Sequence, residues 1–342
     1  MMTTVLVAGA GGYIGIPLCK RLIENGYQVV AFDRYYFGTH DVASSLSPLA
    51  LSVHGDIRTI SHSIVEQVDA VIDLAGLSND PASMISPQLT RSINYDGACH
   101  LARIAKDVGI RRYIYMSSAS VYGQSDGTSC ETDPCHPQSL YAELKLSVEQ
   151  ALNEMRDDAF NPVIFRSATV FGLAARMRFD LVINRMSLMA VQRGRIEVDG
   201  NGLQNRPFIH VEDVGRAMLA VLEFDFDAVE QRIFNLGSDL LNYNIRSIAE
   251  CVARLVPGAD IAHNPTTQDS RDYRLSFARL KDILGFTPIR MVDDGVRDIV
   301  NYLRTPATPA PSPTCYTTEW YLSLMEWEER LDRIRINGQV LR

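Results

Sequence analysis

At 342 residues the chain can bury one large core or two lobes. Its 33 Lys plus Arg against 41 Asp plus Glu leave a formal charge of −8, which argues against a general role on nucleic acid or anionic membrane. Any anionic ligand must then be held by local Arg, Lys or helix N-termini. The opening Met1-Met2-Thr3-Thr4-Val5-Leu6-Val7 has neither a basic n-region nor a cleavage site, and no segment reaches about eighteen uninterrupted apolar residues. With six scattered cysteines read as reduced thiols, the expectation is a cytoplasmic protein.

In chain order, short apolar runs alternate with helical patterns: Thr4–Ala8, then Ile14–Asn25; Gln28–Phe32; Leu51–His54; Ala70–Leu74; Thr90–Val108; Arg112–Met116. This rhythm predicts an α/β fold, a Rossmann-type doubly wound parallel sheet with helices on both faces. Ligands of such sheets lie beyond the C-terminal strand ends, near the topological switch point. Later strands are expected at Pro162–Arg166 and Arg232–Leu236, with a helix over Asp180–Arg193 between them. Helices over Ile245–Leu255, Phe277–Leu284 and Gly295–Leu303 predict a smaller, mostly helical C-terminal lobe, discontinuous with the sheet.

The expected division is a nucleotide-binding domain over 1–172, with strands from about 205–240 returning to its sheet, and a substrate lobe over 173–304. The proline-rich 305–314 is a linker, and 315–342 a tail whose apolar residues repeat at helical spacing. That tail helix, over Thr318–Ile334, is read as packing on its own protomer rather than on a partner subunit.

The first turn, Gly9-Ala10-Gly11-Gly12-Tyr13-Ile14-Gly15, joins a strand to a helix and lets backbone N–H groups meet a pyrophosphate without Cβ interference. Asp33 ends the next strand, where an acid can bond adenosine ribose hydroxyls and repel a 2′-phosphate, favouring NAD over NADP. Arg34 beside it tempers that preference, since arginine can pair with a 2′-phosphate. Gly55-Asp56-Ile57 and Leu74-Ala75-Gly76-Leu77-Ser78 fall where cofactor-contacting loops belong. Cys130, Cys135 and His136 match no usual metal-ligand spacing and read as an ordinary turn, so no metal is expected.

Taken together, "GAGGYIG", "GDI", "LAG", "SINYDGA", "SSASVYG", "YAELK", "RSATVFG" and "RPFIHVEDV" resemble the extended short-chain dehydrogenase/reductase family, in its NAD-dependent sugar-nucleotide epimerase/dehydratase branch. The resemblance to UDP-galactose 4-epimerase-like proteins runs from about Val5 to about Leu303. It implies cofactor contacts at Gly9, Gly12, Tyr13, Ile14, Gly15, Asp33, Arg34, Asp56, Ile57, Leu74, Ala75, Gly76 and Asn94, with Asn94 beneath the active site. It implies Ser118, Tyr141 and Lys145 as the catalytic group, Tyr141 and Lys145 also touching the cofactor. Tyr141 and Lys145 are four apart on a helix that Ser139 can cap, and a lysine beside a phenol is expected to lower its pKa.

The residues after Ser118 separate reaction types within the resemblance. Dehydratases of the family carry an Asp-Glu pair there, and decarboxylases keep a glutamate; here stand Ala119 and Ser120. The stretch is similar to the epimerase pattern Ser-Ala-Thr-Val-Tyr-Gly. An NAD-dependent epimerase of a nucleotide-diphosphate sugar, at C4 through a 4-keto intermediate, is therefore expected, with a reductase of a nucleotide-linked 4-ketosugar as the alternative. A non-catalytic nucleotide-binding regulator or scaffold is the reading from another class. The resemblance implies substrate contacts at Ser78, Ser118, Ser120, Thr169, Arg206 and Arg271. Of Arg176, Arg178 and Asn184, in the segment that wraps the sugar nucleotide, Arg178 and Asn184 are taken as substrate residues. A homodimer through helices around 94–108 and 141–156 is also implied.

Overall fold

A computed structural model describes residues 2–38, 50–125, 127–226, 229–264, 272–336 and 339. Its strands are β1 (Thr4–Ala8), β2 (Gln28–Asp33), β3 (Ala50–His54), β4 (Ala70–Asp73), β5 (Arg112–Ser118), β6 (Thr128–Ser129) and β7 (Val163–Ser167). There follow β8 (Thr169–Phe171), β9 (Arg195–Asp199), β10 (Asn205–His210), β11 (Ile233–Leu236), β12 (Asn242–Asn244), β13 (Asp260–Asn264) and β14 (Arg274–Leu275).

Seven of them form one sheet in the order β11-β7-β5-β4-β1-β2-β3, every pairing parallel. Its strands are apolar on both faces because both are covered. On one face Val5 and Val7 pack with Leu18 and Leu22 of helix Gly15–Glu24 and with Met218 and Val221 of helix Val211–Glu223. On the other, Leu6 and Ala8 meet Leu101 and Ala105 of helix Ala98–Asp107, and Val148 and Leu152 of helix Leu140–Met155. This one-residue alternation along β1 is the strand period of two expressed as two separate cores. The order reverses at β1, between β2 and β4, so a crevice opens at the C-terminal ends of these strands.

Two expectations need correction. Of the strands expected to return to the sheet from 205–240, only β11 does so. β10 pairs instead with β12 and β8 in a three-stranded sheet, because Phe208 to His210 run beside Thr169–Phe171 after that chain has left β7. The helix expected as continuous over Thr90–Val108 starts at Pro87 and widens into a π-helical turn at Ser92–Gly97 before resuming at Ala98. Such widened turns recur at functional sites, and this one carries Asn94.

The C-terminal half contributes helices Val182–Arg193, Ile245–Leu255 and Val292–Arg304, packed with the β9–β13 pair around a core of their own. The tail forms helix Thr317–Ile334, which lies on this protomer against helix Asp80–Ile85.

Candidate active site

Behind β1, the glycine turn is shaped by what cannot be there. Gly9 has φ +85°, and a Cβ on it would sit 2.9 Å from the Leu74 carbonyl carbon. A Cβ on Gly15 would come within 2.2 Å of the Gly9 carbonyl oxygen. The bare backbone lets the helix N-terminus reach the floor of the crevice, the arrangement that receives a pyrophosphate. Asp33 anchors the turn, accepting the Gly11 N–H at 2.9 Å and the Tyr35 N–H at 2.6 Å. Burial pushes its carboxyl upward from the ordinary range, against those backbone hydrogen bonds.

Arg34 is not free for a phosphate: its Nη1 donates to Asp56 Oδ2 at 2.8 Å, and its guanidinium lies 5.0 Å from the Tyr36 ring centroid. Asp56 is also gripped by Arg58, whose hydrogen bonds hold its carboxyl well below the usual carboxylate range. The resulting cleft has an empty volume of about 1120 Å³, counting the solvent at its mouth. Gly9, Gly12, Tyr13, Ile14, Gly15, Asp33, Arg34, Asp56 and Ile57 line it at one end. Leu74 to Ser78, Tyr141 and Lys145 line it further along.

Asn94 does not line the cleft. Its Oδ1 accepts the Leu77 N–H at 2.7 Å and its Nδ2 donates to the Leu77 carbonyl at 3.0 Å, so it pins the 75–78 loop from behind. The cofactor contact expected of it is thus replaced by a supporting position beneath the site.

Ser118 ends β5 and caps the short 3₁₀ turn Ala119–Tyr122. Its Oγ accepts from Ser120 N at 3.2 Å and from Ser120 Oγ at 2.9 Å. Tyr141 stands in the first turn of the helix that Ser139 caps through the Ala142 N–H, and Ser118 beside it favours the ionised form of its phenol. Lys145, one turn on, donates to the Met116 carbonyl at 2.6 Å, with its Nζ 4.6 Å from the Tyr115 ring centroid and 6.0 Å from that of Tyr141.

The expected lowering of the Tyr141 pKa is not what this arrangement gives. Burial raises the phenol to about 12, helped by Asp80, while Ser118 and Arg178 pull the other way. Lys145 is itself brought down to about 8, chiefly by burial, with Asp73 and Glu149 opposing. Desolvation outweighs the charge effect because both groups lie in one poorly hydrated pocket.

Under β5 runs a chain of buried polar groups. Ser117 donates to Glu149, Glu149 pairs with Arg166 at 2.8 Å, and Arg166 Nη1 donates to the Tyr122 hydroxyl at 3.0 Å. That hydroxyl donates to Asn235 Oδ1 at 2.7 Å, and the Asn235 N–H reaches Glu131 at 2.8 Å. Beside it Asp73, fully buried, accepts from the Ala75 N–H and the Tyr113 hydroxyl, and burial lifts its carboxyl to about 6.

Of the expected substrate residues, Ser78 and Arg178 come together: Arg178 Nη1 donates to Ser78 Oγ at 3.1 Å while Nη2 pairs with Asp180 at 2.6 Å. Asn184 is a correction. It is fully buried, donating to the Tyr13 hydroxyl and the Arg178 carbonyl and accepting the Gly172 N–H, so its amide holds other residues and has no face toward a ligand. Thr169 is half-buried in β8, paired opposite Phe208, outside the cleft lining. Arg206 is buried in β10 with its guanidinium 5.1 Å from the Tyr273 ring centroid. Arg271 lies outside the described residues.

Phe32, Tyr36, Phe37 and Tyr321, which sequence reasoning missed, also line the cleft, as does Arg176, which it weighed and set aside. Aromatic residues at 36 and 37, just after the strand bearing Asp33, were an available signal for Tyr36 and Phe37; Tyr321 carried none.

Among the described residues there is no group of three or more His, Cys, Asp or Glu able to hold a metal, and no helix long and apolar enough to cross a membrane.

Comparison with known proteins fits this geometry. The sequence model of the NAD dependent epimerase/dehydratase family matches residues 5–237. UDP-glucuronic acid decarboxylase 1 of Xenopus tropicalis is 26% identical over 314 residues, covering 88% of this chain and 72% of the relative. UDP-glucose 4-epimerase of Lacticaseibacillus casei is 27% identical, covering 83% and 92% respectively. A solved structure described as MoeE5 in complex with UDP-glucuronic acid and NAD is 27% identical, with TM-score 0.75, covering 88% of this chain and 99% of its own.

Proposed function

Since the chain belongs to the NAD dependent epimerase/dehydratase family, we propose that it is an NAD-dependent epimerase of a nucleotide-diphosphate sugar, inverting C4 through a transient 4-ketosugar. NAD is its cofactor, and the residues present suit it: a glycine cradle that no Cβ could share, an acid at the end of β2, and an Arg34 already paired with Asp56 rather than left to a 2′-phosphate. When bound, NAD supplies the acceptor, and afterwards the donor, of the C4 hydride.

The chain's own groups manage the proton and the geometry. With NAD bound, Tyr141 as its phenolate would take the C4 hydroxyl proton and, as the phenol so formed, would return it to the C4 oxygen. Ser118, beside that phenol, orients the hydroxyl. Lys145 is mostly protonated at neutral pH, and its ammonium beside the ring favours the phenolate from which Tyr141 would act as the base. The Arg178–Ser78 contact lines the same cleft beyond Tyr141 and is assigned to the sugar end, with Ser120 beside Ser118. Arg206 is assigned to the nucleotide diphosphate, where its planar guanidinium suits phosphate oxygens.

The observation that carries the choice of reaction lies after Ser118. Ala119 is buried and Ser120 spends its hydroxyl on Ser118, so no ionisable side chain stands there to abstract a ring proton or promote elimination. Oxidation followed by reduction at one carbon needs none.

A reductase of a nucleotide-linked 4-ketosugar is the second reading, favoured by one observation: burial keeps Tyr141 a phenol, the form from which a reduction starts. One experiment separates them. Nucleotide sugars are incubated in deuterated water without added cofactor, using native protein and Tyr141→Phe. C4 inversion without solvent label on the ring, and a loss of roughly 10²–10⁴-fold in Tyr141→Phe, is the expected outcome. Turnover that consumes added NAD(P)H with a 4-ketosugar points to the reductase; label at C3 or C5, or full activity in Tyr141→Phe, sinks both readings.

A further inference from the structure

Tyr321 reaches the cleft from the tail helix, far beyond residue 237 where the family match ends. Three contacts dock this helix over the turn after β2. The indole Nε1 of Trp320 donates to the Tyr36 carbonyl at 2.7 Å. The Tyr321 ring meets Tyr36 edge-on at 5.9 Å between centroids and Phe37 at 5.6 Å. Tyr36 and Phe37 belong to the adenosine end of the cleft, beside Asp33 and Arg34, and Tyr321 feels the charges of Asp33 and Arg178.

Arg176 fastens the helix from the opposite wall. Its Nη2 donates to Thr317 Oγ1 at 2.9 Å and to the Thr314 carbonyl at 3.1 Å, both at the start of the tail. Its guanidinium lies 3.6 Å from the Phe37 ring centroid, closing a bridge from one lip of the cleft to the other. The side chain is 95% buried, lines the cleft, and leaves Nε without a hydrogen-bond partner. Burial, with Arg178 adding to it, draws its pKa down to about 10, the mark of a cation short of negative charge. A pyrophosphate in the cleft would supply both the charge and the acceptor.

We propose that the tail helix is part of the cofactor site: Trp320 and Tyr321 strap the cleft shut over Tyr36 and Phe37, and Arg176 clasps the strap while pairing with the dinucleotide pyrophosphate. The cofactor can then leave only when the strap lifts. This suits a reaction that returns the hydride it took, and it rests on the cleft being the NAD site, not on which sugar is used.

The test reads cofactor release directly. Full-length protein is loaded with NAD and passed through gel filtration. Retained NAD is released by denaturation and quantified per chain, and the dissociation rate is measured against excess unlabelled NAD. The double variant Trp320→Ala/Tyr321→Ala should release NAD about tenfold or more faster, and Arg176→Gln to a similar degree, from the loss of one or two hydrogen bonds and the ring contacts. Trp320→Phe, which keeps the ring and removes the N–H, should fall between, and Leu322→Ala on the exposed face should match native protein. Native release rates in Trp320→Phe and the double variant together overturn the strap. Strap-dependent release in a protein that inverts no sugar overturns the epimerase reading alone.

Discussion

Beneath the cleft, β5 rests on charge withdrawn from water: Glu149 and Arg166 are 3% and 5% exposed, and each is tied to further buried polar groups. Above it, the tail helix is held by ring contacts, one indole hydrogen bond and the Arg176 clasp, while its outer face carries Arg330–Glu326 and Arg333–Glu329 pairs open to solvent. Buried ions repay their desolvation only when the whole set is paired, so the floor is rigid and fails as a unit. Contacts on a single amphipathic helix can be broken and remade without stranding a charge. The molecule thus fixes Ser118 and Lys145 on a rigid floor and leaves removable the element proposed to govern access.

The sharpest way to break this contrast is Glu149→Ala. It strands Arg166 in the floor and should cost about 3–5 kcal/mol in chemical denaturation. A loss under about 1 kcal/mol would mean that water reaches the network.

Asp73→Asn should act within a pH window. Burial lifts the native carboxyl to about 6, above the ordinary carboxylate value near 3.8, so the folded state binds the extra proton between those values. Stability from this group is full below about pH 4 and declines as pH rises through 6. The variant should flatten that decline in denaturation midpoints measured across the window. An unchanged slope would locate the titration elsewhere.

At the other extreme, Arg330→Ala removes an exposed i,i+4 pair from the outer face of the strap and should shift stability by no more than about 0.5 kcal/mol. A larger shift would mean that the roof is not the loosely held element described here.

Most of the sheet, and the meeting of Ser118, Tyr141 and Lys145 in one cleft, were legible because their signals are local. The glycine turn, the alternation along β1 and the four-residue spacing of Tyr141 and Lys145 each lie within one or two elements. Asn184 was misjudged for a reason that recurs: an amide that satisfies buried backbone looks, in sequence, like one that meets a ligand. The direction of the Tyr141 shift was missed because spacing reports neighbours but not hydration. Tyr321 was invisible since helical periodicity marks an apolar stripe without saying what it covers. Trp320 bonds a carbonyl 284 residues away, a pairing only the folded chain creates.

The chain has two tryptophans, and both, Trp320 and Trp327, stand on the tail helix in an edge-to-face pair 5.3 Å apart. Indole emission from this protein therefore originates wholly in the strap. Without any added dye, its intensity and colour are an optical gauge of whether that helix is seated or lifted, readable in real time while cofactor and sugar come and go.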